Sequence, residues 1–296
     1  MYRKYFIIIP AIFILLQACN LKSSKEEQVN IDSLQFYSYK EKMSERIYYK
    51  FPSSEEIFDV INQGDLHFNP DLTNTISASD KYSNSRSQAI NLGIYTSDLA
   101  YLTIFEKTKE SIDYFGVINN LSHKLHISSN ESEDLFYRIQ DNLTSIDSLK
   151  LLVRDSYNKI VEHFSVTENE KTLAIITAGA YIECLYISIN LVGDYSKSNT
   201  AVAKLAEQKY AVYNLQQYME NFKAHEYVEE TIKDVQPVFD IFASLTETEL
   251  EETSVTEAED GSLIFAGGKV VNITEEEFNK LKEELAKVRT KFVETF

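Results

Sequence analysis

Residues 173–192 read LAIITAGAYIECLYISINLV, a run that is apolar on nearly every face of a helix. A helix of this length, at about 1.5 Å per residue, is long enough to cross a bilayer core of about 30 Å. Glu183, however, stands at the centre of the run, where a carboxylate in lipid would cost about 2.5 kcal/mol or more. We therefore interpret the run as the central buried helix of a bundle, with a transmembrane span as the alternative.

The sequence on both sides of this run has the spacing of amphipathic helices. Apolar residues recur three or four positions apart, and only eight glycines and four prolines interrupt them. The predicted fold class is therefore mostly α, a multi-helix bundle around the central apolar helix. We expect a break near Gly116 and a kink or division at Pro237. The predicted helices cover residues 33–51, 53–64, 81–114, 131–164, 168–192, 200–224 and 225–245.

The C-terminal segment combines a loop, a hairpin and a last helix. Residues 247–260 are acidic and turn-rich, which predicts a solvated loop. Residues 262–273 have the pattern of two short strands around Gly267 and Gly268, which predicts a small β-hairpin. A threonine followed by three glutamates then predicts the capped start of a helix over residues 274–294.

The N-terminus has the order of a bacterial lipoprotein signal. Two basic residues, an apolar core over residues 6–16 and a small residue precede Cys19. Residues 16–19, LQAC, resemble a lipobox, in which the cysteine thiol receives a diacylglycerol and the chain is cut before it. The resemblance implies a signal peptide over residues 1–18, a flexible tether over residues 19–30, and attachment to the membrane through the lipid on Cys19. The alternative is a plain signal peptide with a chance cysteine.

Further features resemble lipoproteins of particular bacteria. Asn20 follows Cys19, which under the sorting rule of enterobacteria argues against retention in the inner membrane. Residues 25–27, KEE, look like the short acidic signal that sends lipoproteins of Bacteroidota to the cell surface. The helical domain, residues 31–296, is similar to uncharacterised helical lipoproteins of Bacteroidota, chiefly in residues 91–101. These resemblances imply an outer-membrane lipoprotein, periplasmic or surface-exposed, and they imply no activity.

Charge and cysteine content exclude several kinds of partner and site. The 296 residues include 46 acidic and 29 basic side chains, for a net charge of −17. Nucleic acid is therefore excluded as a partner, because binding its phosphates depends on surplus lysine and arginine. Cys184 is the only cysteine besides Cys19, so the mature chain cannot form an ordinary intrachain disulfide. Nucleophile, zinc and phosphate-loop motifs are lacking, so we predict no cofactor and find no support for an enzyme.

One block places polar side chains inside an apolar pattern. Asn91, Tyr95 and Asp98 are spaced by four and three residues, so they share one face of a helix. If that face is buried, its polar atoms need partners, and Glu183 and His163 are candidates. A cluster of Asp98, Glu183 and His163 could hold a cation or move a proton. The alternative is a satisfied polar network that fixes the register of the helices.

Two hypotheses of function remain. The first is a lipid-anchored, non-catalytic binding or interaction module of the cell envelope, with residues 247–273 as a candidate contact for a partner protein. The second is a metal-binding or hydrolytic helical domain with a polar site around Asp98 and Glu183. His123 and His126 are close enough to chelate a transition metal together, but their spacing indicates no third ligand. We predict no metal at this pair and prefer the first hypothesis.

Overall fold

A computed structural model describes the protein over residues 67–127, 163, 169–196, 199–249, 254–257, 263–266 and 269–294. Within these residues the chain is mostly helical, which confirms the predicted fold class of a multi-helix bundle with a central apolar helix and short C-terminal strands. The seven α-helices of the described part are α1 (Ser85–Ile104), α2 (Thr108–Lys124), α3 (Glu170–Val192), α4 (Thr200–Glu207), α5 (Lys209–Glu220), α6 (Glu226–Ser244) and α7 (Glu275–Glu294).

Several predicted segments lie outside the described residues. They are the signal peptide with Cys19, the tether, the predicted helices at 33–51 and 53–64 and, apart from His163, the predicted helix at 131–164.

α3 is the central helix of the described bundle. It packs most extensively against α1 and also contacts α4, α5, α6 and α7. It is long and apolar enough to span a membrane, yet 83% of its most apolar 18-residue window is buried within the protein. The apolar run at 173–192 therefore forms a core helix, because its neighbours cover nearly all of its surface.

α1 and α3 approach each other closely at two glycines. A Cβ atom built on Gly93 would lie 2.0 Å from the carbonyl oxygen of Ile176, and one built on Gly179 would lie 2.1 Å from the carbonyl oxygen of Ile90. Any other residue would force the helices apart at these positions, because the obstructing atoms belong to the backbone. The two glycines thus fix the register of α1 against α3.

The chain reverses direction after α1, at a place that the sequence did not indicate. α1 ends at Ile104, whereas the prediction had one helix reaching about Tyr114 with a break near Gly116. Glu106 adopts the left-handed backbone conformation that closes a helix, with φ of 56°, and the N–H groups around it bond to carbonyls of the last turn. Glycine usually occupies this position, so a glutamate there carries no signal. Gly116 lies inside α2 instead.

Two further helix boundaries differ from the prediction. The predicted helix at 200–224 is divided at Gln208 into α4 and α5. Pro237, by contrast, does not divide α6, which continues through it. The residues after it, Val238 and Phe239, are buried in the core, and their packing outweighs the single backbone hydrogen bond that proline removes.

The C-terminal strands pair differently from the prediction. β1 (Thr246–Glu249) pairs antiparallel with β4 (Lys269–Asn272), and β2 (Ser254–Glu257) pairs antiparallel with β3 (Leu263–Ala266). β3 and β4 therefore do not pair with each other around the two glycines, and the predicted acidic loop contains two strands. The threonines and the valine of β1 and β2 favour extended structure, but the glutamates between them made the segment resemble a solvated loop.

Candidate functional site

A buried polar cluster lies where α1, α3 and α7 meet. Asp98 of α1 and Glu183 of α3 are both 0% exposed, and the side chain of Arg289 of α7 is 13% exposed. Nε and Nη2 of Arg289 each donate to a Glu183 carboxylate oxygen at 3.1 Å. The guanidinium carbon also lies 4.8 Å from the centre of the Tyr186 ring. A bidentate ion pair of this kind is among the strongest in proteins, and here it joins α3 to α7.

Asp98 and Glu183 are neighbouring buried carboxyls, and each affects the pKa of the other. Burial and the neighbouring Glu183 raise the pKa of Asp98 well above its usual range. Burial also raises the pKa of Glu183, but Arg289 and a hydrogen bond with Asp98 oppose that rise. Because Arg289 bonds directly to Glu183, a proton held by the two carboxyls resides on Asp98 in preference to Glu183. The Oδ2 atom of Asp98 accepts from the backbone N–H of Asn74 at 3.0 Å, whereas Oδ1 is buried and has no hydrogen-bond partner among the described residues.

Asn91 and Tyr95, the other residues of the predicted polar face, also have hydrogen-bond partners in this region. The Asn91 amide donates to the carbonyl oxygen of Phe292 on α7 at 3.0 Å and accepts from the Asn74 side chain at 3.4 Å. The Tyr95 hydroxyl donates to the carbonyl oxygen of Thr75 at 2.7 Å. Because burial raises the pKa of Tyr95, the phenol remains a hydrogen-bond donor. The structure thus brings four of the five predicted residues, Asn91, Tyr95, Asp98 and Glu183, into one region.

The sequence reasoning missed two members of the cluster, Arg289 and Asn74. Arg289 follows Leu285 by four residues and precedes Phe292 by three, and both of these are buried. Helical spacing therefore places the arginine on the apolar face of α7, which was a signal for a buried acidic partner. Asn74 lies between two short 3-10 turns, where no periodicity indicates which side chains are buried.

The cluster lacks the features of a catalytic or metal site. Across the described ranges, no three His, Cys, Asp or Glu side chains lie close enough together to hold a metal ion. Asp98 and Glu183 have no exposed surface, so a substrate cannot reach them. The arrangement has the properties of a closed polar network that fixes how α1, α3 and α7 pack.

A cavity of about 580 Å³ lies elsewhere in the described bundle. The amino-terminal ends of α1, α3 and α6 line it, together with the residues that follow α2. Three of the five histidines of the chain are on its wall. Its main polar side chains are those of His126, His163, Asn169, Lys171, His225 and Tyr227.

His163 belongs to this cavity and not to the acid cluster. The cavity reaches α1 at Ala89 and α3 at Ile175, which precede Asp98 and Glu183 by nine and eight residues. At about 1.5 Å per residue, this separation corresponds to about 12 to 14 Å of helix. The structure therefore does not bring His163 to the predicted cluster, because His163 lies at the cavity, toward the other end of α1 and α3.

No protein-family model matches the sequence, and neither the curated proteins nor the solved structures include a match to this chain. The chemistry of the described residues alone therefore carries the functional inference.

Proposed function

We propose that this protein is a lipid-anchored protein of the bacterial outer membrane whose helical domain is a non-catalytic binding module. Its ligand site is the cavity at the amino-terminal ends of α1, α3 and α6, and its anchor is the lipid on Cys19. The observation that carries the binding function is the cavity itself. Its volume of about 580 Å³ lies within the range of about 300 to 1,000 Å³ in which small-molecule sites fall.

The non-catalytic assignment is supported by the state of the reactive side chains in the described residues. The carboxyls of Asp98 and Glu183 are sealed from solvent and engaged with each other and with Arg289. Cys184 is buried, and its thiol lies 3.3 Å from the Ser97 hydroxyl. A buried thiol behaves as a small hydrophobic group and not as a nucleophile.

Blocking the cavity is expected to abolish ligand binding. Ser85 is exposed, lines the cavity and is the first residue of α1, so Ser85→Trp places a bulky ring in the cavity with little change to the core. We expect the full-length protein, solubilised in detergent, to bind a compound from a small-molecule extract of its source cells. Binding, measured by saturation-transfer NMR on the extract, should be at least about tenfold weaker in Ser85→Trp.

The matched control is Thr200→Trp. Thr200 is the exposed first residue of α4 and does not line the cavity, so this variant should bind as the natural protein does. Equal binding by all three proteins would contradict the proposed site, and no binding by the natural protein would contradict the proposed function.

The lipid anchor makes a separate prediction. Cys19→Ser should abolish incorporation of labelled palmitate and release the protein from the membrane fraction, because no thiol would remain at the proposed lipidation position. Cys184→Ser is the control, since Cys184 is buried in the bundle, and it should leave labelling and fractionation unchanged. A Cys19→Ser protein that still incorporates label would contradict Cys19 as the lipidated residue.

The contact with a partner protein at residues 247–273 stays a prediction. Val271 and Ile273 are 3% and 8% exposed, which attaches the β4 end of this segment to the helices. A deletion that tests the contact should therefore be confined to residues 250–268, so that loss of a partner is not confused with loss of folding.

A further inference from the structure

Three helices begin at the wall of the cavity. Ser85 is the first residue of α1, and Asn169 and His225 occupy the N-cap positions of α3 and α6. All three residues line the cavity. These helices are 20, 23 and 19 residues long. The first turn of a helix has N–H groups without acceptors and a partial positive charge, so three such ends at one cavity favour a negatively charged ligand group.

Two of the three helix ends lack a side-chain cap. In α1 the Asn84 side chain accepts from the N–H of Ser87. Asn169 of α3 and His225 of α6 make no such bond to their first turns, and the side-chain oxygen Oδ1 of Asn169 instead accepts from the Thr172 hydroxyl at 2.9 Å. The N–H groups of Thr172 and Val228 bond to the carbonyl oxygens of Asn169 and His225, so the two N–H groups before each of them are the ones available to a ligand that carries acceptor oxygens.

The side chains of the cavity supply donors of the same kind. Lys171 is a cation in the first turn of α3, and three imidazoles line the wall. Among the described residues, the Nδ1 atom of His225 is buried and has no hydrogen-bond partner. A buried polar atom without a partner is unfavourable, and an acceptor oxygen of a bound ligand would pair with the Nδ1–H form of this imidazole.

The charge of the cavity is opposite to that of the whole protein. The chain has a net charge of −17, yet no aspartate or glutamate is among the described residues that line the cavity. Glu170 and Glu226 stand at the first positions of α3 and α6, but neither lines it. Lys171 is therefore the charged side chain that the described part of the wall presents to a ligand.

We infer that the cavity binds a small molecule through a phosphate or carboxylate group, held by the amino-terminal ends of α3 and α6, by Lys171 and by His225. The inference rests on the proposed function, because it names the chemical class of the ligand for the same site.

The test uses the full-length protein in detergent at constant ionic strength. Sodium phosphate and sodium acetate are titrated by isothermal calorimetry, and each is also added as a competitor to the extract-binding measurement. We expect at least one of the two anions to bind and to displace the extract ligand. Lys171→Gln should weaken that anion at least about fivefold, and Ser85→Trp should abolish its binding. Lys204→Gln is the control, because Lys204 is an exposed helical lysine away from the cavity, and it should change nothing.

The remaining outcomes overturn the inference in distinguishable ways. Anion binding that is unchanged by Lys171→Gln and Ser85→Trp would be surface binding only. If Ser85→Trp weakens binding of the extract ligand but neither anion displaces that ligand, the proposed binding function would stand. The inference that the ligand is an anion would be contradicted. If extract, phosphate and acetate all fail to bind, both proposals fail.

Discussion

Replacing Glu183 with glutamine is expected to lower the free energy of unfolding by about 3 to 5 kcal/mol, because the change leaves the guanidinium of Arg289 buried without its counter-charge. The side chain of Arg289 is only 13% exposed, so water cannot replace the lost carboxylate. The proton of Asp98 would also lose its charged acceptor. Urea unfolding followed by circular dichroism measures this loss directly.

The matched variant is Asp98→Asn, which makes the same chemical change at the other member of the pair. An asparagine can still accept from the N–H of Asn74, as Asp98 does, and it needs no proton to be neutral. Because folding raises the pKa of Asp98, the natural protein must either take up a proton at this site or bury a charge there, and Asp98→Asn avoids both. We therefore expect Asp98→Asn to leave the free energy of unfolding at pH 7 unchanged or to increase it. If Asp98→Asn were as damaging as Glu183→Gln, the proton would have to reside on Glu183.

The same pair predicts how stability depends on pH. The folded-state pKa of Asp98 is raised above its unfolded value, which for aspartate is about 3.9. Its contribution to stability is therefore fully present below about pH 4 and is lost as the pH rises through the folded-state pKa. Asp98→Asn does not titrate, so its stability relative to the natural protein should increase as the pH rises above about 4, up to the folded-state pKa of Asp98. A stability difference that stays constant with pH above about 4 would contradict the raised pKa of Asp98.

Gly93→Ala is expected to lower the free energy of unfolding by about 3 kcal/mol or more, at the upper end of overpacking effects. The new methyl group would lie 2.0 Å from the carbonyl oxygen of Ile176 and 2.6 Å from the backbone nitrogen of Ala180. Neither backbone atom can rotate away, so α1 and α3 must separate. Gly179→Ala should have a similar effect, since its methyl group would lie 2.1 Å from the carbonyl oxygen of Ile90.

The control for both variants is Gly116→Ala. Gly116 also lies inside a helix, but a Cβ atom there meets nothing within 4 Å. Alanine should therefore stabilise the protein by about 0.5 to 1 kcal/mol, through the lower backbone entropy of the unfolded chain. Thermal unfolding midpoints should thus move in opposite directions for Gly116→Ala and Gly93→Ala. A destabilised Gly116→Ala would mean that glycine-to-alanine changes do not report the contact between α1 and α3.

Predictions from residue spacing were confirmed where the predicted feature depends on the sequence of one helix alone. The central position of α3 follows from residues 173–192, because a helix that is apolar on every face must be covered on every face. Asn91, Tyr95 and Asp98 were placed together because residues three and four apart share a face whatever the helix packs against. Glu183 was a sound choice of partner, since a carboxylate in the middle of a buried helix requires one.

Other features were decided by contacts between distant segments. Arg289 follows Glu183 by 106 residues, and no local rule states which helix supplies the counter-charge. The end of α1 at Glu106 depends on a left-handed residue that is not glycine. The pairing of β4 with β1, and not with β3, depends on which backbone partners are available after the helices have packed.

By itself, then, the sequence determined the helical class, the core helix and the polar face of α1, since all three follow from the 3.6-residue geometry of one segment. The tertiary structure alone decided which arginine neutralises the acid pair, how closely α1 and α3 approach, and that three helix ends meet at one cavity. Each of these depends on the relative free energies of alternative packings, to which every segment contributes at once.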